Sequence, residues 1–202
     1  MVPDYLGYLG ESGVRPNDVD PAGVQVRASV TVIVRDKDGR VVYRHTQPSR
    51  SLLEAHAVMM LAMWAAQCNT MTDTSGVEIQ MCGGSPGVIE VNAGSGVDSY
   101  GIVVGSGSGQ LVYSAMSFPA GVTVSGNTTS FTFSRTFTNI SGGTVTVSEV
   151  GIIAYLSGWN LTNVSTGTPI SSDYVLIAYD VLSAAVSLSN GSSLEVQYTF
   201  SV

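Results

Sequence analysis

The stretch SFTFSRTFTNISGGTVTVSEVGIIAY, residues 130–155, decides the fold of this chain. Apolar and polar residues alternate on both sides of the turn residues NISGG (139–143), and a period of two residues is typical of a half-buried β-strand. Similar strands, separated by turns that contain Gly, Asn or Pro, continue to Val202. This pattern predicts a mainly β protein, an antiparallel β-sandwich that is jelly-roll-like.

Arg135 lies on the first of these strands, at a position where the alternation predicts a core residue. Phe133 and Phe137 flank it on the same face of the strand. A buried arginine needs a carboxylate partner, and Glu149 on the following strand is the natural one. We therefore predict a structural ion pair between Arg135 and Glu149 that fixes the strand register and is not a functional site.

The N-terminal half of the chain predicts a hairpin and one helix. Residues 24–34 and 41–45 alternate as two strands around a turn in which Gly39 can take a positive φ. Ser51 and Glu54 match a capping box, and residues 51–67 are apolar almost all round. We expect a buried helix near 51–67 that either crosses one face of a sheet or lies in a subunit interface. The hairpin, the helix and the later strands form a single predicted domain, residues 24–202.

Two segments are candidate contact regions. Residues 1–23 are rich in Gly, Pro and Asp, which predicts an extended N-terminal arm that either wanders or lies on a neighbouring subunit, with Tyr5 and Tyr8 as possible interface residues. Residues 157–172 are predicted to be a loop. Trp159 within it is either an exposed contact anchor or a side chain packed back onto the sheets.

Composition excludes several classes of function. Charged residues make up 11% of the chain, against about 25% in typical proteins, and the net charge is −7. Arg135 is the one basic residue after Arg50, so we predict no nucleic-acid partner. No apolar run approaches the roughly 20 residues that span a bilayer, so no membrane partner is predicted.

The start of the chain has no basic and apolar signal segment, which predicts synthesis in the cytoplasm. Cytoplasmic synthesis favours free buried thiols at Cys68 and Cys82 over one disulfide bridge, although a bridge stays open.

No pattern of catalytic or metal-binding residues emerges. His45 lies on a hairpin strand and His56 in the predicted helix, so neither completes a Ser/His/Asp triad. The acidic turn at residues 36–39 lacks the later oxygen ligands of a calcium loop. The glycine-rich segment 101–109 lacks the Lys-Ser/Thr ending of a phosphate loop. We predict that the protein is not an enzyme and uses no cofactor or metal.

Residues 125–155 and 174–202 resemble a family of virion proteins of tailed bacteriophages and prophages. The resemblance is carried by RTFTN (135–139), VSEVG (147–151), LIAYDVL (176–182) and NG (190–191), and it extends to GIVVGSG (101–107) and the hairpin region 35–53. It implies a non-enzymatic structural protein, made in the host cytoplasm and located in the virion. Such a protein forms a homo-oligomer, with a trimer as one candidate, and docks to other capsid or tail proteins. The alternative is a receptor-binding or adhesin fibre module that recognises host surface glycans.

Overall fold

A computed structural model describes residues 27–49, 67–83, 87–106, 111–119, 121–126 and 128–202. These residues form twelve β-strands, and none of them lies in a helix. The strands are β1 Arg27–Arg35, β2 Val41–Ser49, β3 Cys68–Thr72, β4 Glu78–Cys82, β5 Val88–Glu90, β6 Gly101–Ser106, β7 Leu111–Tyr113, β8 Thr123–Ser125, β9 Thr128–Asn139, β10 Val145–Asn163, β11 Pro169–Leu188 and β12 Ser193–Ser201.

The strands form two antiparallel sheets. Sheet A has the order β2-β1-β12-β9-β7, and β8 also pairs with β9. Sheet B has the order β11-β10-β4-β3, and β5 and β6 also pair with β10. The long hairpin of β10 and β11 organises sheet B, because β6, β5 and β4 follow one another along the strand β10. The prediction of a mainly β, antiparallel protein is confirmed.

The N-terminal hairpin is also confirmed, and its second strand continues to Ser49, beyond the predicted end at residue 45. Gly39 has φ of +81°, and only glycine adopts this left-handed conformation readily. The Asp36 carboxylate accepts hydrogen bonds from the backbone N–H groups of Asp38 and Arg40, both at 2.9 Å. An aspartate that bonds its own turn in this way is the ordinary means of fixing a tight reversal.

The described residues form two hydrophobic cores. The main core lies between the sheets, where Val32 and Val196 of sheet A meet Val150 and Ile152 of sheet B. The second core belongs to strands of sheet B alone; its members are Met71, Ile79, Met81, Ala154, Leu156, Trp159, Leu161 and Val175. Each of them is at most 9% exposed.

The predicted loop 157–172 is wrong in most of its length. Strand β10 continues to Asn163 and β11 begins at Pro169, so the turn is confined to residues 164–168. Alternation resumes there after a register shift between Ser157 and Leu161, which moves the buried positions from Ala154 and Leu156 to Trp159 and Leu161. Four of the seven Ser and Thr residues in this range lie in strands, where hydroxyl side chains are well tolerated.

The predicted helix near 51–67 lies outside the described residues except for Gln67, which is not helical. The arm 1–23, with Tyr5 and Tyr8, also lies outside them. Strand β3 begins at Cys68, where we expected the end of the helix. In the part of the chain that the structure describes, no helix is long and apolar enough to cross a membrane.

Cys68 and Cys82 form a disulfide, so the expectation of free thiols is wrong. The two cysteines are directly opposite residues of the β3–β4 pair, with Cα atoms 4.0 Å apart. Opposite positions on adjacent antiparallel strands bring side chains within bonding distance. The spacing of the cysteines in the sequence does not show this register.

Candidate functional site

Arg135 is buried as predicted, but its partner is not Glu149. Its side chain is 1% exposed and donates to five backbone carbonyl oxygens. These oxygens belong to Gly94, Val97, Tyr100, Ile102 and Ser114. A guanidinium has five N–H donors, and all five are used here. Burial lowers the pKa of Arg135, and the nearby Tyr113 and Asp98 oppose that shift.

Glu149 lies on the other sheet, so the predicted ion pair is wrong. It is directly opposite Gly105 of β6, where a Cβ atom would lie only 2.8 Å from the Glu149 carboxylate. Among the described residues, the one ion pair within 4.0 Å joins Arg35 and Glu195. The sequence rule that a buried arginine needs a carboxylate failed because backbone carbonyls can satisfy the same donors.

A row of polar side chains joins the edge strands of the two sheets. The Gln47 amide of β2 donates to the Val181 carbonyl and accepts from the Ser183 N–H of β11, each at 2.9 Å. The Ser183 hydroxyl bonds the His45 Nε2 atom at 2.8 Å. We call these contacts, together with Ser49 and Asp180, the polar seam. It borders an open cleft of about 610 Å³.

The carboxylate of the polar seam is held in place by hydroxyl groups. Asp180 is 4% exposed, and its Oδ2 atom accepts from Ser49 at 2.8 Å and from Tyr198 at 3.0 Å. Burial, followed by the charge of Asp180, raises the pKa of Tyr198 far above its usual range, so Tyr198 remains a donor.

The polar seam brings Ser183, His45 and Asp180 together, which sequence reasoning missed. The available signal was the alternation of His45, Gln47 and Ser49, which puts three polar side chains on the core-facing side of β2. The Asp180 carboxylate binds Ser49 and Tyr198, and these bonds join β11 to β2 and β12. The contacts join the edges of the two sheets, so the geometry supports a structural role for the polar seam.

An apolar surface lies where the inner face of sheet A continues beyond the main core. We call it the end patch; its members are Phe118, Val122, Val124, Phe131, Phe200 and Val202. Phe131 lies on the same side of β9 as Phe133 and Arg135, and Phe200 is directly opposite Phe131. These side chains therefore continue the core-facing row of the sheet.

The end patch is exposed although it has core composition. The exposed fractions are 43% for Phe118, 59% for Val122, 67% for Val124, 41% for Phe131 and 53% for Val202. The rings are stacked, with centroids 5.3 Å apart for Phe131 and Phe200 and 5.6 Å apart for Phe118 and Phe133. Stacking holds the rings in one arrangement.

Three tyrosines form a second surface feature on the outer face of sheet B. Tyr155 lies between the inward-facing Ala154 and Leu156, so it points outward. Its ring centroid is 5.1 Å from that of Tyr174 and 5.8 Å from that of Tyr100. The pKa of Tyr100 is raised by partial burial and by Glu90, which also accepts its hydrogen bond.

Trp159 is buried in the second core, so the prediction that it is an exposed interface anchor is wrong. It is 9% exposed and donates from Nε1 to the Val88 carbonyl at 3.2 Å. Its ring covers Gly87, where a Cβ atom would lie 2.3 Å from the indole. The alternative expectation, a Trp packed back onto the sheets, is the one that the structure supports.

In the described ranges, no group of three His, Cys, Asp or Glu side chains is placed to hold a metal ion. Comparisons of the chain with protein-family models, with curated proteins and with solved structures found no match. The end patch, the polar seam and the tyrosine cluster are the described features of the molecule that bear on its function.

Proposed function

We propose that this protein is a structural subunit of a tailed-phage virion, a jelly-roll-like β-sandwich that decorates the capsid or belongs to the tail. It acts without catalysis, by self-association and by docking to other virion proteins. The resemblance of residues 125–155 and 174–202 to phage virion proteins supports the setting.

The end patch is the observation that carries this proposal. A soluble monomer normally buries the apolar face of a sheet, and an exposed apolar patch on a protein marks a surface for contact with a partner. None of the six side chains is charged, so covering them requires no desolvation of ions. Association of such surfaces gains free energy in proportion to the apolar area removed from water.

The free edge of sheet A adds a second surface for assembly. Strand β2 is the last strand on that side of the described sheet. Its first residues Val41, Val42 and Tyr43 are 51%, 61% and 36% exposed. An edge strand presents unpaired backbone groups to which a strand of another subunit can add.

Sedimentation analysis over a wide concentration range tests the self-association. We expect the wild-type chain to form a defined oligomer, and we expect Val122→Ser with Val124→Ser to weaken it because both side chains belong to the end patch. Ile140→Ser, at a position 56% exposed in the turn before β10, is the matched control. A wild-type chain that stays monomeric at every concentration contradicts the proposal.

The tyrosine cluster favours a second candidate function, a receptor-binding module for host surface glycans. Aromatic faces beside a carboxylate supply both stacking and hydrogen bonding for a sugar, and Tyr100, Tyr155 and Glu90 provide these groups. Glycan binding that is lost in Tyr155→Ala and retained in Tyr43→Ala would support this function. Electron microscopy of particles separates the two, since many copies over a shell or tube indicate a structural subunit and a few at a tail tip indicate an adhesin.

A further inference from the structure

We infer that the end patch receives the N-terminal arm, residues 1–23, of a second copy of this chain. This inference depends on the proposed self-association and names the segment that mediates it. Three observations carry it: where strand β1 starts, the composition of the arm, and the exposure of the patch.

Strand β1 starts beside the end patch. Arg27 is paired with Ser201, and Ala28 is directly opposite Phe200, which belongs to the patch. The residues that precede β1 therefore join sheet A at the end where the patch lies. In an assembly in which two such ends meet, each arm is attached next to the surface of its neighbour. An exchange of identical elements between copies is an economical route to a closed oligomer.

The composition of the arm suits the patch. The first ten residues, MVPDYLGYLG, contain two apolar pairs, Tyr5-Leu6 and Tyr8-Leu9, and one charged side chain, Asp4. Aromatic and leucine side chains are suitable anchors for a stacked aromatic surface. The chain between Leu9 and Arg27 spans at most about 60 Å when extended, which is enough to reach a neighbouring subunit.

Exposure of the patch leaves it open to a covering segment. Val124 is 67% exposed and Phe131 is 41% exposed. Under the proposed self-association, the arm that covers these side chains is supplied by a second copy. Because every subunit carries both the arm and the patch, one kind of contact repeats through the assembly.

Association of the full-length chain tests the inference through matched variants. We expect Tyr5→Ser with Leu6→Ser, Tyr8→Ser and Leu9→Ser to weaken association by about tenfold or more. Val122→Ser with Val124→Ser should weaken association by a similar factor. A chain that carries both the arm changes and the patch changes should associate only slightly more weakly than a chain with either set alone. Ile140→Ser with Val164→Ser, both in exposed turns, should leave association unchanged.

Cross-linking distinguishes the two sources of the arm. Both native cysteines are bonded to each other, so an added pair reports without interference. A chain with Tyr8→Cys mixed with a chain with Val124→Cys should give a disulfide-linked dimer. If one chain that carries both changes cross-links within itself at high dilution, the arm is its own and the inference is overturned.

The sedimentation results separate this inference from the proposed function. A wild-type chain that associates while the arm variant associates equally well overturns only the arm contact. A wild-type chain that never associates overturns the proposed function as well.

Discussion

The second core is an apolar face of sheet B, and the end patch is an apolar face of sheet A. The second core is buried, whereas the end patch is exposed. The main core lies where the two sheets face each other, and Tyr198 of sheet A donates a hydrogen bond to Asp180 of sheet B there. Beyond the main core, sheet B continues into the second core, where Leu156 is fully buried. Sheet A continues into the end patch, where Val124 is two-thirds exposed.

We therefore expect the second core to determine the stability of the single chain and the end patch to determine its association. Fully buried side chains of the second core contribute to the free energy of unfolding of the single chain, because their contacts are complete within it. Side chains of the end patch contribute little to that free energy while they remain in water. Their apolar area lowers the free energy only when a partner removes it from water.

The largest expected effect concerns Arg135, in the covered part of the inner face of β9. Arg135 lies four residues beyond Phe131 on the same face, and it holds the segment 94–102 over the sheet. We expect Arg135→Met to lower the free energy of unfolding by about 3–5 kcal/mol, because five backbone carbonyls around a buried side chain lose their donors. Urea denaturation measures this change. Arg44→Met, at an exposed position of β2, is the control and should stay within about 0.5 kcal/mol of the wild type.

Matched truncations on the two faces test the comparison directly. Leu156→Ala should lower the free energy of unfolding by about 2–5 kcal/mol, since it leaves a cavity in the second core. Val124→Ala should change that free energy by less than about 0.5 kcal/mol and should weaken association instead. Urea denaturation of the dilute protein and sedimentation separate the two quantities. Equal losses of stability for both variants would show that the distinction is wrong.

The disulfide should support the second core more than the main core. It joins β3 to β4 across 14 residues of sequence, and Cys68→Ser with Cys82→Ser should lower stability by about 2–3 kcal/mol. Hydrogen exchange of the variant should be faster in β3 and β4 and unchanged in β1 and β12. Faster exchange in all four strands would contradict a local role for the bridge.

The smallest expected effect is electrostatic and concerns Asp173, which lies on β11 beside the second core. Asp173 is directly opposite Leu156, and burial raises its pKa above the ordinary value, against the hydrogen bond from the Tyr174 N–H. An acid with a raised pKa in the folded state favours folding when protonated, and this contribution is lost as pH rises through the folded-state pKa.

Asp173→Asn should therefore raise Tm by about 1–2 °C at neutral pH, and the gain should disappear at pH 3, where the wild-type carboxyl is protonated. Thermal unfolding at both pH values checks this. Asp38→Asn in the exposed hairpin turn is the control. A gain at pH 3 equal to that at pH 7 would exclude the ionisation of Asp173 as the cause.

Local patterns were sufficient for much of the fold. The alternation in residues 128–139 and the turn chemistry of residues 36–40 correctly predicted β9 and the first hairpin, because period and turn residues act within a few positions. The predicted helix near 51–67 and the arm contacts of Tyr5 and Tyr8 lie outside the described residues and stay predictions. For Trp159 the sequence left two alternatives open, and the structure supports the packed one. The extent of the β10–β11 hairpin was mispredicted, because Ser and Thr are common to strands and loops.

The candidate sites were less predictable than the fold. The polar seam depends on β2 and β11 meeting as edges of different sheets, about 135 residues apart in sequence. The end patch exists because sheet B stops covering sheet A at a certain position. No local sequence pattern predicts that position.

The sequence by itself determined the β class, the inward position of Arg135 and the scarcity of charge that leaves apolar surfaces available for contact. These properties follow from alternation and composition, which each residue carries independently of distant ones. The tertiary structure decided which groups Arg135 binds, that Cys68 meets Cys82, and that one apolar face is buried while another stays open. Those outcomes depend on strand register and sheet overlap, because both are set by contacts between residues far apart in the chain.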